Sequence, residues 1–174
     1  MNDLATARAD FLEKVEGYAS GQSARFAPAL ERFRTAIAIQ QRLASVDPTN
    51  SEWQRDVSVS LVKIAEVLDS QGSSGEALAR YSEGLALAER LAAGDPKNAD
   101  RQRDLFTLHD RIGNLLKAQG SSAAALTNYR AALAVAQRLV GIDPTNSERQ
   151  SQLRLAQQNV AEMLRAQDAQ APRP

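Results

Sequence analysis

The sequence has no cysteine, one histidine, few aromatic residues and no net charge. Without cysteine there is no disulfide, no thiolate metal ligand and no cysteine nucleophile. Its 21 basic and 21 acidic residues balance, so the chain lacks the long-range field that draws basic proteins to nucleic acid or anionic membranes. We therefore expect neither nucleic acid nor a membrane as a partner.

Long apolar runs and targeting signals are also missing. No run of 18 apolar residues occurs, and residues 1–4 lack the basic start of a signal peptide. These features lead us to expect a cytoplasmic protein. At 174 residues with 43% apolar composition, the chain is long enough to bury a sizeable core and too apolar to be wholly disordered.

An internal 48-residue repeat organises the chain. An Asp-Pro pair recurs at Asp47, Asp95 and Asp143, and an Arg-Leu pair precedes each one. The same offset carries residues 58–105 onto 106–153, and further matches extend in both directions. The sequence therefore contains two full units with incomplete units at either end.

Each unit contains two amphipathic helical patterns, because its apolar residues recur every three or four positions. In one unit the first pattern is Trp53, Val57, Leu61, Ile64 and Leu68, and the second is Ala77, Leu78, Tyr81, Leu85, Ala88 and Leu91. A hairpin of two such helices cannot bury both apolar faces, whereas stacked hairpins can. No strand pattern competes. The sequence therefore predicts an all-α fold of antiparallel helix hairpins stacked as a short solenoid.

Turn residues separate the helical patterns. Gly72 and Gly120 supply the backbone freedom that ends a helix, and Ser74 or Ser122 is expected to cap the helix that follows. After each Asp-Pro pair two helix starts are possible. Either Thr49 forms a capping box with the glutamate three residues later, or Asp47 is the cap and its proline lies in the first turn.

The repeat resembles the tetratricopeptide repeat, a helix-turn-helix unit of about 34 residues. The residues that carry the resemblance are Ile112-Gly113, Leu116, Gly120, Ala125, Tyr129, Ala132-Leu133 and Asp143-Pro144. Here the unit is longer, and the extra length lies around the Arg-Leu and Asp-Pro segment. The resemblance is to long-unit bacterial repeats, and it implies a right-handed solenoid that serves protein interactions.

The offset also predicts how the chain is divided. We expect a degenerate N-terminal capping helix at 1–23, a repeat domain at 24–166 and a disordered tail at 168–174. Within the repeat domain, the second helix of unit one is expected at 24–46, unit two at 47–94, unit three at 95–142 and a C-terminal capping helix at 143–167.

Nothing in the sequence forms a recognisable catalytic, metal or cofactor site, so we expect a protein that is not an enzyme and carries no cofactor. His109 falls in mid-helix and is expected to be half-buried with an ordinary hydrogen bond. Residues 72–75 lack the lysine and the preceding strand of a phosphate-binding loop. Trp53 is expected to be half-buried at the end of the core.

The resemblance implies that the first helix of each unit lines the concave face of the stack, where a peptide binds. The residues carried over to that face are Val59, Val62, Lys63, Glu66, Thr107, Asp110, Arg111, Asn114, Lys117, Asn159 and Glu162. Val62 and Asp110 stand where a clamp for a peptide's terminal carboxylate needs a basic residue, so that clamp is not expected. A solvated polar face without a ligand is the alternative interpretation.

The sequence therefore favours a non-catalytic scaffold that binds a protein or peptide on the concave face. The alternative function is a helical spacer that self-associates into a weak homo-oligomer.

Overall fold

The computed structural model describes residues 26–170, and this part of the chain is all-α. Its six helices are α1 (Phe26–Val46), α2 (Ser51–Ser70), α3 (Ser74–Gly94), α4 (Ala99–Ala118), α5 (Ser122–Ile142) and α6 (Ser147–Gln170). No strand occurs among the described residues. The predicted all-α class of helix-hairpin repeats is confirmed.

For the two ends of the chain, the structure bears on the predicted C-terminal helix but not on the predicted N-terminal one. The expected capping helix at 1–23 lies outside the described residues. At the other end α6 continues to Gln170, so residues 168–170 are helical and the expected helix end at 167 was too early. The sequence there has good helix formers and no glycine or proline before Pro172, which explains why the helix runs on.

The helices form two compact units, divided between Gly84 and Leu85 inside α3. In the first unit α1 packs against α2, and its core contains Phe33, Leu61, Ile64, Ala65, Leu68, Ala77 and Tyr81. Ser58 on α2 donates a 2.9 Å hydrogen bond from its hydroxyl to the carbonyl of Gly84 on α3. This bond satisfies a buried hydroxyl and joins the two helices.

In the second unit α5 packs against both α4 and α6. Its core contains Leu105, Phe106, Leu108, Ile112, Ala125, Leu126, Tyr129, Val135, Leu139 and Met163. The backbone of α4 approaches the Tyr129 ring so closely that a Cβ at Gly113 would lie 2.7 Å from the ring carbon Cε1. The absence of a side chain at Gly113 therefore has a direct packing role.

Asparagine, and not the predicted threonine or aspartate, caps the helices after the Asp-Pro turns. Asn50 Oδ1 accepts hydrogen bonds of 3.2 Å from the backbone N–H groups of Glu52 and Trp53. Asn98 does the same at the start of α4. Both expectations for Thr49 and Asp47 were wrong, because the carboxylate of Asp47 binds the backbone N–H and hydroxyl of Thr49 inside the turn.

Gly72 and Gly120 adopt the positive φ values, 79° and 75°, that the hairpin turns require. The serines after them do not cap as expected. Ser122 already lies inside α5, and the residue at the cap position, Ser121, makes no capping hydrogen bond with its side chain. Ser74 is likewise the first residue of α3. The start of α5 is therefore not fixed by a side-chain cap.

Candidate binding face

The predicted site residues fall into two groups, one in each unit. Val59, Val62, Lys63 and Glu66 lie on α2 in the first unit, and all four are half-buried. Lys63 Nζ donates to Glu66 Oε2 at 3.1 Å, an ion pair between residues three apart on one helix. Such a pair contributes little to stability when water reaches it, so it mainly fixes the two side chains on this surface.

The other predicted residues form one surface in the second unit, which we call the α4–α6 face. Its members are Thr107, Asp110, Arg111, Asn114 and Lys117 on α4, and Asn159 and Glu162 on α6. Thr107, Asp110, Asn114 and Lys117 are spaced three or four apart and so share one side of that helix, with Arg111 next to Asp110. Hydrogen bonds between α4 and α6, one donated from each helix, show that the residues of the two helices lie next to each other.

Asp110 is the centre of a hydrogen-bond network on the α4–α6 face. Its Oδ1 accepts a 2.9 Å bond from Asn159 Nδ2 on α6, and its Oδ2 accepts a 3.0 Å bond from Asn114 Nδ2 one turn along α4. Both carboxylate oxygens are therefore satisfied by amide groups. The Asn159 bond joins two helices that are separated in sequence by α5.

Tyr129 extends this network from the core. Its ring is buried in the second unit, and its hydroxyl donates a 2.9 Å bond to Asn114 Oδ1. Burial, followed by the negative charges of Asp110 and Glu162, raises the pKa of Tyr129 to about 12. The hydroxyl therefore remains a proton donor at any physiological pH.

The charge of Asp110 is held in a half-buried position. Burial raises the pKa of this carboxyl above its ordinary value of 3.8, while Arg111 and the bonds from Asn114 and Asn159 act in the opposite direction. Burial has the largest effect, because removal of water disfavours the charged form. The amide groups of Asn114 and Asn159 replace part of the hydration that the buried carboxyl loses.

A second bridge between α4 and α6 lies one to two turns away. Lys117 Nζ donates to Glu162 Oε1 at 2.6 Å. Both side chains remain substantially exposed, so water screens the pair. Of the other members, Arg111 is exposed, whereas the Thr107 hydroxyl is used within α4, donating to the Arg103 carbonyl at 3.0 Å. The charged members of the face, Asp110, Arg111, Lys117 and Glu162, sum to zero.

His109 lies beside Asp110 in sequence but belongs to a different contact. It is half-buried, and its Nδ1 lies 3.2 Å from Asn128 Oδ1 on α5. The expectation of an ordinary hydrogen bond is confirmed. Trp53 is half-buried as expected. Within residues 26–170 no group of three or more metal-ligating side chains is placed to hold an ion.

Sequence reasoning missed two features of this unit. No role on the face was expected for the Tyr129 hydroxyl. The residue at the equivalent position two units earlier is Phe33, which has no hydroxyl, and this difference could have indicated such a role. The contacts of Arg101 and Arg149 with helix ends were not anticipated either, and both residues are half-buried. Their Nη1 atoms lie 3.4 Å from the carbonyls of Leu91 and Leu139 at the ends of the preceding helices, where a cation is favourable.

No helix in the described range combines the length and apolar character that crossing a membrane requires. No protein-family model matches the chain, and no curated protein matches it. The likeness to tetratricopeptide repeats therefore remains a resemblance, carried by the 48-residue unit.

Proposed function

We propose that the chain is a non-catalytic scaffold that binds an extended peptide, or an equivalent segment of a partner protein, on the α4–α6 face. The observation that carries the proposal is the 2.9 Å bond between Asn159 and Asp110. It makes one continuous polar surface out of two helices that are not consecutive in sequence. The half-buried surface of Val59, Val62, Lys63 and Glu66 on α2 is proposed to have the same role in the first unit.

The α4–α6 face is organised before any partner arrives. Asp110 holds the amides of Asn114 and Asn159, and Glu162 holds Lys117. Side chains that are already fixed lose less conformational entropy on binding. Each asparagine amide has a second N–H besides the one given to Asp110, and such donors suit the carbonyl groups of a peptide backbone.

The charges of the α4–α6 face form a pattern of opposite signs without a net charge. Two acidic and two basic side chains lie close together, so the face exerts little long-range pull on a charged partner. A partner is then recognised by where its charges lie, which is how electrostatic complementarity provides specificity.

A charge swap tests the proposal. Peptides would first be selected from a displayed library on the full chain, and their Kd values measured by calorimetry. The double variant Lys117→Glu with Glu162→Lys keeps the ion pair between α4 and α6 but exchanges the positions of its charges. We expect peptide binding to weaken about tenfold or more, a loss of about 1.4 kcal/mol, with unchanged helicity and Tm.

Arg130→Glu is the matched control, since Arg130 is an exposed arginine on α5 outside the face. This variant should bind the selected peptides as the original chain does. Equal binding by the swap variant and the original chain would show that peptides bind elsewhere.

A further inference from the structure

A cleft of about 290 Å³ lies in the second unit, away from the α4–α6 face. We call it the α3–α5 cleft, and it is lined by Glu89 and Ala92 on α3, Pro96 in the following turn, Gln102 and Leu105 on α4, and Arg138 on α5. Its volume is close to the lower end of the roughly 300–1,000 Å³ typical of small-ligand pockets. These residues surround Arg90-Leu91 and Asp95-Pro96, the stretch in which the 48-residue unit exceeds the 34-residue one.

Gln102, one of the residues that line the cleft, has an unusual acceptor in its side chain. Its side chain is 3% exposed, and its Oε1 has no hydrogen-bond partner among the described residues. Buried amide oxygens normally have a partner, because an unmade hydrogen bond is unfavourable in a dry environment. A hydrogen-bond donor of a ligand therefore contributes more binding free energy at this oxygen than the same donor contributes at a hydrated surface.

The repeat provides an internal comparison. Gln54 and Gln150 occupy the equivalent positions one unit before and one unit after, and their amides donate to the carbonyls of Pro48 and Pro144. Gln54 is half-buried and Gln150 is exposed, whereas Gln102 is buried. Of these three glutamines, Gln102 alone combines burial with an unpartnered oxygen.

The mouth of the cleft limits the charge of a ligand. Glu89 and Arg138 are both exposed, and neither is paired with another side chain in the described part of the molecule. An ammonium group would be attracted by Glu89 but repelled by Arg138, and the reverse holds for a carboxylate, so a single charge gains little from the pair. A neutral peptide group avoids repulsion by either residue, because its N–H complements the carboxylate of Glu89 and its C=O complements the guanidinium of Arg138. The walls, Ala92, Pro96 and Leu105, suit small apolar side chains.

We propose that the α3–α5 cleft binds a short, extended, apolar peptide segment through its backbone, with one peptide N–H donating to Gln102 Oε1. In the empty cleft this oxygen is shielded from solvent. The ligand reaches it by rotation of the terminal amide, whose last torsion has a broad and shallow energy profile. The proposal does not depend on binding at the α4–α6 face.

The probe is the blocked dipeptide N-acetyl-Ala-Ala-N′-methylamide, titrated into the full chain and followed by ¹H–¹⁵N correlation spectra. We expect saturable shifts at the amides of Ala92 and Leu105 with a millimolar Kd. The same dipeptide methylated at every amide nitrogen lacks N–H donors and should bind about tenfold more weakly, as for the loss of one buried hydrogen bond. Equal shifts with both probes, or no saturable shift with either, would overturn the proposal.

Gln102→Met keeps the length of the side chain and removes the oxygen, and Gln150→Met is its matched control. Gln102→Met should weaken the dipeptide about tenfold, and Gln150→Met should leave its Kd unchanged. Because Gln102→Met also removes an unsatisfied acceptor, its Tm should exceed that of the original chain by roughly 2–4 °C. A lower Tm for Gln102→Met would mean that water already satisfies the oxygen, which contradicts the premise.

Discussion

The missing side chain at Gly113 determines how closely α4 lies against α5. A Cβ there would stand 2.7 Å and 2.8 Å from two ring carbons of Tyr129, closer than atoms of a well-packed core can be. Tyr129 cannot move away easily, because its ring is 1% exposed and its hydroxyl is bonded to Asn114. Because Gly113 has no side chain, the Tyr129 ring can lie against α4 and its hydroxyl can reach Asn114 on the α4–α6 face.

We predict that Gly113→Ala destabilises the protein although alanine is the better helix former. The helix propensity gain is about 0.5–1 kcal/mol, and forcing a methyl into a filled core costs about 1–3 kcal/mol. The free energy of unfolding should therefore fall by about 1 kcal/mol in urea titrations. Gly141→Ala is the control, since an added Cβ at Gly141 meets no atom within 4 Å. A more stable Gly113→Ala variant would contradict the packing described here.

Asp110 and Asp143 should affect stability with opposite dependence on pH. Burial raises the pKa of Asp110 above 3.8, so the folded state binds its proton more tightly than the unfolded state. Its contribution is then most favourable below pH 3.8 and is lost as pH rises through the higher folded-state pKa. For Asp143 the hydrogen bonds from Thr145 lower the pKa, so its contribution is present above 3.8 and is lost as pH falls.

The measurement is the free energy of unfolding of the original chain and of Asp110→Asn and Asp143→Asn between about pH 3 and pH 6. Relative to Asp110→Asn, the original chain should lose stability as pH rises through this range. Relative to Asp143→Asn, the original chain should gain stability as pH rises through the lower part of the range. Parallel curves for the two variants would refute the assignment of burial to one carboxyl and hydrogen bonding to the other.

At the scale of the element, the helix starts that follow the Asp-Pro turns depend on single asparagine side chains. Asn98 Oδ1 accepts bonds of 3.1 Å from the backbone N–H groups of Asp100 and Arg101. Asn98→Ala should therefore lower the free energy of unfolding by about 1 kcal/mol, the typical effect of losing an N-cap. The measurement is equilibrium unfolding in urea.

Ser121→Ala is the matched control for that prediction. Ser121 has the N-cap position of α5 but makes no capping hydrogen bond with its side chain. Its replacement should leave stability within about 0.5 kcal/mol of the original chain. Equal losses in the two variants would mean that the Asn98 bonds are not what stabilises the start of α4.

The caps also show what sequence reasoning can and cannot predict about an element. The helices were predictable because apolar spacing and the 48-residue offset report on many residues at once. The cap was not, because Asp47, Thr49 and Asn50 are all good cap residues and only the backbone path of the turn decides between them. Once Asp47 bonds to Thr49, the asparagine is left to cap α2.

The candidate face was likewise predictable only in part. The resemblance implied that Asp110, Asn114 and Lys117 belong to one face, and their spacing of four and three residues is that of one side of α4. It gave no indication that Asp110 pairs with Asn159, since that bond depends on the approach of α6 and on the side-chain rotamers. The Tyr129 hydroxyl was missed because its distance from Asn114 depends on the close packing at Gly113.

At the scale of the whole molecule, the exposed apolar side chains bear on whether the chain self-associates. Among the described residues the large ones are Ile39, Val46, Ile142, Leu155 and Leu164. The two on α6 are nine residues apart, two and a half turns, and so lie on opposite sides of that helix. They form no continuous stripe of the kind that helps helices associate.

We therefore predict that α6 does not mediate self-association and that the chain is a monomer. Light scattering across a concentration series should give a constant mass near 18.8 kDa. Leu155→Lys, on the exposed part of α6, should leave that mass unchanged. A mass that rises with concentration, and that Leu155→Lys restores to the monomer value, would favour the self-associating spacer.

The asparagine caps have a consequence for how such a chain can grow. Asn50, Asn98 and Asn146 occupy the same point of successive units, and the residue after each begins a helix. A duplication of residues 99–146 would join Asn146 to Ala99 and recreate the junction that Asn98 already makes. Recombination between equivalent points would thus lengthen or shorten the gene in whole units without inventing a new helix start.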